Sequence, residues 1–273
     1  MSFLLGAVRR LATLPLVRRL TSVTPLLRLS YSLRATLVRE RAGFVRNELR
    51  GPVTAIYHLR ESGIAVAIRH RTGDVLVLDE IFSQLEYEPP PGAQLRAVRR
   101  AVDLGANIGL FGVWALDRFP DCELTAFEPD PTNAEVARMC IEANGAGDRW
   151  RLVEAAATAD DGRVSFVSGE FSRSRIEAEG GTEVEALDVF PYFEGVDFAK
   201  VDIEGGEWAI LGDPRFRELG LSALALEFHP DQAPGPDPKS LALDAVHTAG
   251  FDARVVYEFG PGQGMLWAWR AAR

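Results

Sequence analysis

Five acids stand at or just beyond the ends of short apolar runs in this chain: Asp103, Glu128, Glu154, Asp202 and Glu227. In open α/β sheets a ligand sits outside the carboxyl ends of the strands, so residues at those ends meet it first. Carboxylates there are costly to desolvate unless something pairs with them, and a cationic or hydroxyl-rich ligand would do so. Glu128 follows Gly105 by 23 residues. A carboxylate at that distance, on the tip of the second strand, can accept both hydroxyls of a ribose. Each such charged hydrogen bond is worth about 1.5–3 kcal/mol. The alternative role is an acid that opens the next helix and favours its dipole. Between the first two acids runs Asp103-Leu104-Gly105-Ala106-Asn107-Ile108-Gly109-Leu110-Phe111-Gly112. Strand, tight glycine turn and helix in that order make a cofactor cradle. The spacing is G-x-x-x-G-x-x-G, not the G-x-G-x-x-G of dinucleotide sites, and on its own it also fits an ordinary strand-to-helix turn.

His229 lies two residues after Glu227, so on an extended chain both side chains point the same way. The pair reads as a histidine oriented by a carboxylate, as two ligands of a metal, or as a loop-capping histidine before Pro230. A metal needs at least a third ligand, the sequence cannot show that Asp202 joins the pair, and no metal site is assigned. Lys200 shares a strand face with Asp202. A lysine inside a buried strand is expensive without a partner, and this chain has only Lys200 and Lys239 against 28 arginines. Lys200 either holds Asp202 or Glu204 in place, acts on a substrate, or runs its stem along the strand to water.

Asp103-Leu104-Gly105-Ala106-Asn107-Ile108-Gly109, Phe127-Glu128-Pro129, Lys200-Val201-Asp202-Ile203-Glu204-Gly205-Gly206-Glu207 and Leu226-Glu227-Phe228-His229 occur in this order. In order and spacing they resemble the FkbM-type methyltransferases, and Arg69-x-Arg71-Thr72-Gly73-Asp74 resembles that family's lead-in. The likeness covers residues 60–230. Gly206 departs from it, since the family more often has alanine there. The resemblance implies a Rossmann-like class I methyltransferase fold with a seven-stranded sheet. It also implies S-adenosylmethionine as cofactor, and an O-methyltransferase acting on a hydroxyl of a sugar, glycan or secondary metabolite. On that reading Glu128 takes the ribose, while Asp103 and Asp202 face the ammonium and sulfonium. Asn107 and the Gly105–Gly109 turn hold the carboxylate, and Glu154-Ala155 lie near adenine. The candidate bases for the acceptor hydroxyl are His229, Asp202 and Glu204, with Lys200 beside them. Glu207 is expected to cap the helix that follows.

The elements that must position these residues follow from pattern. Arg100–Leu104, Leu124–Phe127, Trp150–Val153, Phe198–Asp202 and Leu221–Phe228 are β-prone runs, alternating with helical patterns up to Phe119, over Asn133–Ala143, around Glu207–Leu211 and over Ser240–Ala249. Phe251–Phe259 and Met265–Trp269, split by a glycine-rich turn, finish as an antiparallel pair. This α/β alternation implies a mostly parallel sheet with helices on both faces. Val164–Val167 is an extra strand, and 168–181 is polar and reads as mobile. Upstream, Val53–Tyr57, Ile64–Ile68 and Val75–Leu78 read as small antiparallel strands, Ile81–Tyr87 as a short helix and 88–92 as a linker. Three parts result: a basic amphipathic segment over 1–50, a β-rich lead-in over 51–92, and the catalytic domain over 93–273.

Charge narrows the partners. Residues 1–50 sum to +8 and the rest to −17. A body that acidic repels a phosphate backbone, so no nucleic-acid substrate is expected. The basic start fits a helical lead-in, an organelle presequence or a peripheral membrane contact. Cys122 and Cys140 have no metal-ligand spacing and fit a reducing, cytoplasmic location. The competing functions are an NAD(P)-dependent oxidoreductase, which the glycine spacing disfavours, and a non-catalytic, membrane-associated cofactor-binding scaffold. The oligomeric state is not readable from the residues.

Overall fold

The computed structural model describes residues 33–93, 95, 97–167, 175–177 and 181–270. The chain divides into two compact units, Met1–Glu86 and Tyr87–Arg273. Of the basic segment over 1–50, the part before residue 33 lies outside the described residues, as does most of the stretch read as mobile over 168–181. Among the described residues no helix is long and apolar enough to cross a membrane.

In the first unit, helix α1 (Arg41–Arg50) precedes an antiparallel hairpin of β1 (Thr54–His58) and β2 (Ala65–Arg69), and α2 (Asp74–Phe82) follows. Helix α2 corrects the sequence reading. Val75–Leu78 is helical rather than a strand, and the helix expected over Ile81–Tyr87 has already ended at Phe82. A four-residue apolar run fits either state, and local capping decides it. The Thr72 hydroxyl accepts the Asp74 N–H at 3.2 Å. The Asp74 carboxylate accepts the Arg69 N–H at 2.9 Å and pairs with its guanidinium. That corner sends the chain into a helix whose Val75, Leu76, Leu78 and Ile81 are buried at helical spacing.

The second unit is built on β3 (Arg100–Leu104), α3 (Leu110–Arg118), β4 (Glu123–Phe127), α4 (Pro131–Ala143) and β5 (Trp150–Val153). Helix α4 starts two residues before its expected start because Asp130 caps it, accepting the Thr132 N–H at 2.8 Å. Then come β6 (Ala156–Thr158), β7 (Gly162–Val167), β8 (Arg175–Glu177) and β9 (Thr182–Asp188), a separate four-stranded sheet in the order β6-β9-β7-β8. Only β7 of these four was legible as a strand. β10 (Phe198–Val201), α5 (Glu207–Gly212), β11 (Ala223–Phe228), α6 (Pro238–Thr248), β12 (Asp252–Gly260) and β13 (Gln263–Trp269) complete the chain.

The main sheet has seven strands in the order β12-β13-β11-β10-β3-β4-β5, and β13 alone runs opposite to the other six. This is the mostly parallel α/β sheet with an antiparallel C-terminal pair that the pattern implied. Both faces are covered. Ala199 and Val201 face a core that includes Leu104, Leu226 and, from α6, Ala242 and Val246. Phe198 faces the other way, stacked on Trp267 with centroids 5.3 Å apart and packed against Phe111 of α3. From β3 the chain steps outward to β4 and β5, then returns to β10 on the opposite side. The boundary between β3 and β10 is therefore the topological switch point where ligands bind in such sheets.

Helix α3 approaches β5 closely at one place. A Cβ on Gly112 would lie 2.1 Å from the Trp150 indole. Gly112→Ala gains about 1 kcal/mol of helix propensity. The steric cost against a buried ring is larger, about 1–3 kcal/mol. The variant is expected to unfold at lower urea concentration than the parent. An equal or higher midpoint would mean that the ring moves aside freely.

Candidate functional site

At the switch point Asp103 and Lys200 are direct neighbours on adjacent parallel strands. Both are buried, and Lys200 Nζ lies 3.2 Å from Asp103 Oδ1 and 3.5 Å from Asp202 Oδ2. The ammonium also donates to the carbonyls of Leu104 and Gly105. Burial alone would favour a neutral lysine, but the carboxylates of Asp103 and Asp202 outweigh it and hold the pKa above the ordinary value. Lys200 is thus neither snorkelling nor free; it ties together two acids and the start of the glycine turn.

That turn is left-handed at three positions, with φ of 88° at Gly105, 50° at Asn107 and 84° at Gly109. At Gly105 the requirement is also spatial, because a Cβ would stand 1.9 Å from the Asp202 carbonyl oxygen. The turn is braced from β4. The N–H groups of Gly105 and Ala106 donate to the Phe127 carbonyl at 3.1 and 2.8 Å. Asn107 N–H donates to Glu128 Oε2 at 2.6 Å, and Asp130 N–H to Glu128 Oε1 at 2.9 Å. Glu128 is buried, which pushes its carboxyl up to about 7 against the lowering effect of those bonds. The fold therefore brings Asp103, Gly105, Asn107, Gly109, Glu128 and Asp202 to one end of the sheet. Glu154 does not join them: it is 49% exposed and paired with Arg138, while its neighbour Ala155 is buried.

A second cluster surrounds His229. Glu207, in the first turn of α5, is fully buried, and its Oε2 accepts the Gly205 N–H at 2.8 Å. Its Oε1 accepts the His229 N–H at 2.8 Å and faces His229 Nδ1 at 3.1 Å. The Trp208 indole donates to the His229 carbonyl at 3.0 Å. His229 Nε2 points between Glu227 Oε1 at 3.4 Å and Glu204 Oε2 at 3.5 Å, and makes no hydrogen bond. Burial opposes a charge on the ring, but Glu207 and Glu227 prevail and raise its pKa to about 12. Glu204 sits in the left-handed region at φ 52°, with its carboxyl raised to about 8 by burial and then by Asp202. Glu227 accepts from the Gln263 amide at 2.8 Å.

A sequence profile of the methyltransferase FkbM domain matches residues 103–241, half of the chain, and spans both clusters. The chain belongs to the FkbM methyltransferase family. A 2-O-methyltransferase, NoeI of Sinorhizobium fredii, is 35% identical over 108 residues, or 40% of this chain and 39% of that protein. The match thus spans less than half of the relative's length. Among solved structures, an O-methyltransferase family protein from Burkholderia thailandensis matches with a TM-score of 0.45 at 17% identity, over 73% of this chain and 58% of that one. The precorrin-6y C5,15-methyltransferase of Geobacter metallireducens matches with a TM-score of 0.41 at 16% identity, over 66% and 84%.

The sequence reading missed what Glu207, inside the matched domain, and Gln263, beyond it, do. The second acid of Glu204-Gly205-Gly206-Glu207 carried a signal, but it was read as a plain helix cap. Its link to His229 needs β11, which the spacing cannot show. Removing the lysine tests the first cluster. Breaking a buried pair typically costs about 3–5 kcal/mol, because one charge stays behind unpaired. Lys200→Met should lose that much stability in urea, and Asp103→Asn combined with Lys200→Met should recover most of it. A single-variant loss below about 1 kcal/mol, the range of an exposed pair, would exclude the role.

Proposed function

We propose that this FkbM-family protein is an S-adenosylmethionine-dependent O-methyltransferase acting on a hydroxyl of a sugar, glycan or secondary metabolite. The observation that carries the reading is the acid-lined, left-handed turn at the switch point, where Asp103, Glu128 and Asp202 converge on Gly105–Gly109. The donor set fits the cofactor. The Glu128 carboxylate accepts two backbone N–H groups and the Asn133 side chain, which leaves it a lone pair for a ribose hydroxyl. Asp202 is half-buried, with Asp103 behind it paired to Lys200, which suits a ligand with an ammonium and a sulfonium. A pyrophosphate would find acids there instead of open N–H groups. Asn107 and the turn would hold the cofactor's carboxylate and Ala155 would lie near adenine, whereas Glu154 is engaged by Arg138. The name of the NoeI relative, a 2-O-methyltransferase, supports an oxygen as the acceptor.

Bound S-adenosylmethionine supplies an electrophilic methyl group. The protein's own task is to align the acceptor oxygen and to take its proton. Alignment can contribute about 7–11 kcal/mol, and a positioned base about 10²–10⁴-fold. Of the candidate bases, His229 is only 3% exposed, while Glu204 and Asp202 are open at 24% and 28%, and Asp202 is tied to Lys200. We assign proton acceptance to the Glu204 carboxylate, with His229 holding it in position and the nearby Asp202 charge making it more basic.

Calorimetry with S-adenosylmethionine and with NAD tests the cofactor: binding of the first alone is expected, and failure to bind it would sink the reading. Glu128→Gln should weaken binding by about 1.5–3 kcal/mol. The pH dependence has a definite sign. Ribose hydroxyls donate to the ionised carboxylate, while burial and the neighbouring Asp130 favour the protonated one. Affinity should therefore rise as pH increases through about 7 in the parent and stay flat in Glu128→Gln. A flat parent profile would exclude the ribose role.

A further inference from the structure

The His229 cluster holds more negative charge than methyl transfer requires. Lys200 is matched by Asp103, and Glu207 is satisfied by two backbone N–H groups and by His229 Nδ1. That leaves the carboxylates of Asp202, Glu204 and Glu227 around a single imidazole edge. A group of acids is not a site in itself. The decisive observation is His229 Nε2, on a side chain only 3% exposed, without a hydrogen bond and aimed into the group. With Nδ1 facing the Glu207 carboxylate, Nδ1 carries one ring proton. In the ion-free protein a second proton on Nε2 faces Glu204 and Glu227 at distances too long for a good hydrogen bond. A divalent cation that displaces this proton to solvent gains the Nε2 lone pair and the carboxylates around it.

One donor atom each from Asp202, Glu227 and His229 lies within 4.8 Å of the other two. Donors bound to a single ion at about 2.0–2.2 Å stand roughly 3–4 Å apart, so a small inward shift of these side chains closes the set. We propose that Asp202, Glu227 and His229 form a divalent metal site at the carboxyl ends of β10 and β11. One imidazole with two carboxylates is a mixed nitrogen and oxygen set, which suits Mn²⁺ better than a thiolate-seeking ion. The Gln263 amide, donating to Glu227, orients one ligand from outside, and Glu207 orients the histidine through Nδ1, as outer partners do at metal centres. The site's use rests on the proposed function: an acceptor hydroxyl bound to such an ion would be more acidic, easing proton loss to Glu204.

The experiment is run on the full chain with Mn²⁺ alone, without cofactor or acceptor, so its failure leaves the methyltransferase reading standing. Electron paramagnetic resonance titration should count one bound ion per chain, and spin-echo modulation should show coupling to one imidazole nitrogen. Glu227→Gln keeps the side-chain volume and can still accept from Gln263. Asp202→Asn is likewise isosteric. Each should weaken the ion at least about tenfold, the lower end of what even outer partners contribute. Far-ultraviolet circular dichroism and the urea midpoint check that both variants are folded. No binding below 1 mM Mn²⁺ would overturn the proposal; so would a bound ion without nitrogen coupling, or affinity unchanged in both folded variants.

Discussion

The structure depends on one buried contact, the Asp103–Lys200 pair across β3 and β10. These two strands meet where the chain changes its direction of travel across the sheet, so no loop connects them directly there. Burying two charges costs several kcal/mol each and is tolerated only with close pairing and further hydrogen bonds. Lys200 meets that demand with Asp103, Asp202 and two carbonyls of the turn. The same ammonium therefore fixes the strand register, the start of the glycine turn and the position of Asp202. Three features that a ligand would meet are set by one cation.

Glu207 plays the matching part on the other side. Helix α5 has only six residues, too few to be stable by itself. Its first turn is held by a carboxylate that accepts N–H groups from Gly205 and from His229. The loop between β10 and α5 is thereby drawn against the end of β11, and Glu204 is held in its left-handed conformation beside the imidazole. The two ties share the segment Asp202–Glu207. This explains why the Lys200–Glu207 block is denser in charged residues than any other strand-helix junction of the main sheet.

Much of this was legible in the chain, for identifiable reasons. The core strands are buried on both faces and so read as short apolar runs, and a ligand site at their carboxyl ends follows from topology. The glycine spacing and Glu128 are local features that spacing preserves. Helix α2 was misread because Val75–Leu78 is apolar enough for either state, and what decides it is a local corner, the Arg69–Asp74 contact, that hydrophobic pattern does not reveal. Strand β9 was missed because Thr182–Asp188 alternates polar and apolar residues on a sheet with one wet face, a weaker pattern than a buried strand. Glu154 followed the rule for strand ends, yet Arg138 on α4 claims it. Glu207 was underread because its partner is 22 residues away.

The scarcity of lysine has a practical side. Of the two lysine side chains, Lys239 is 43% exposed and Lys200 is buried. An amine-reactive label added to the folded protein meets one lysine, and the other reacts only after β3 and β10 part. Counting labelled lysines by mass spectrometry therefore reports on the centre of the sheet from a single residue, with no probe introduced.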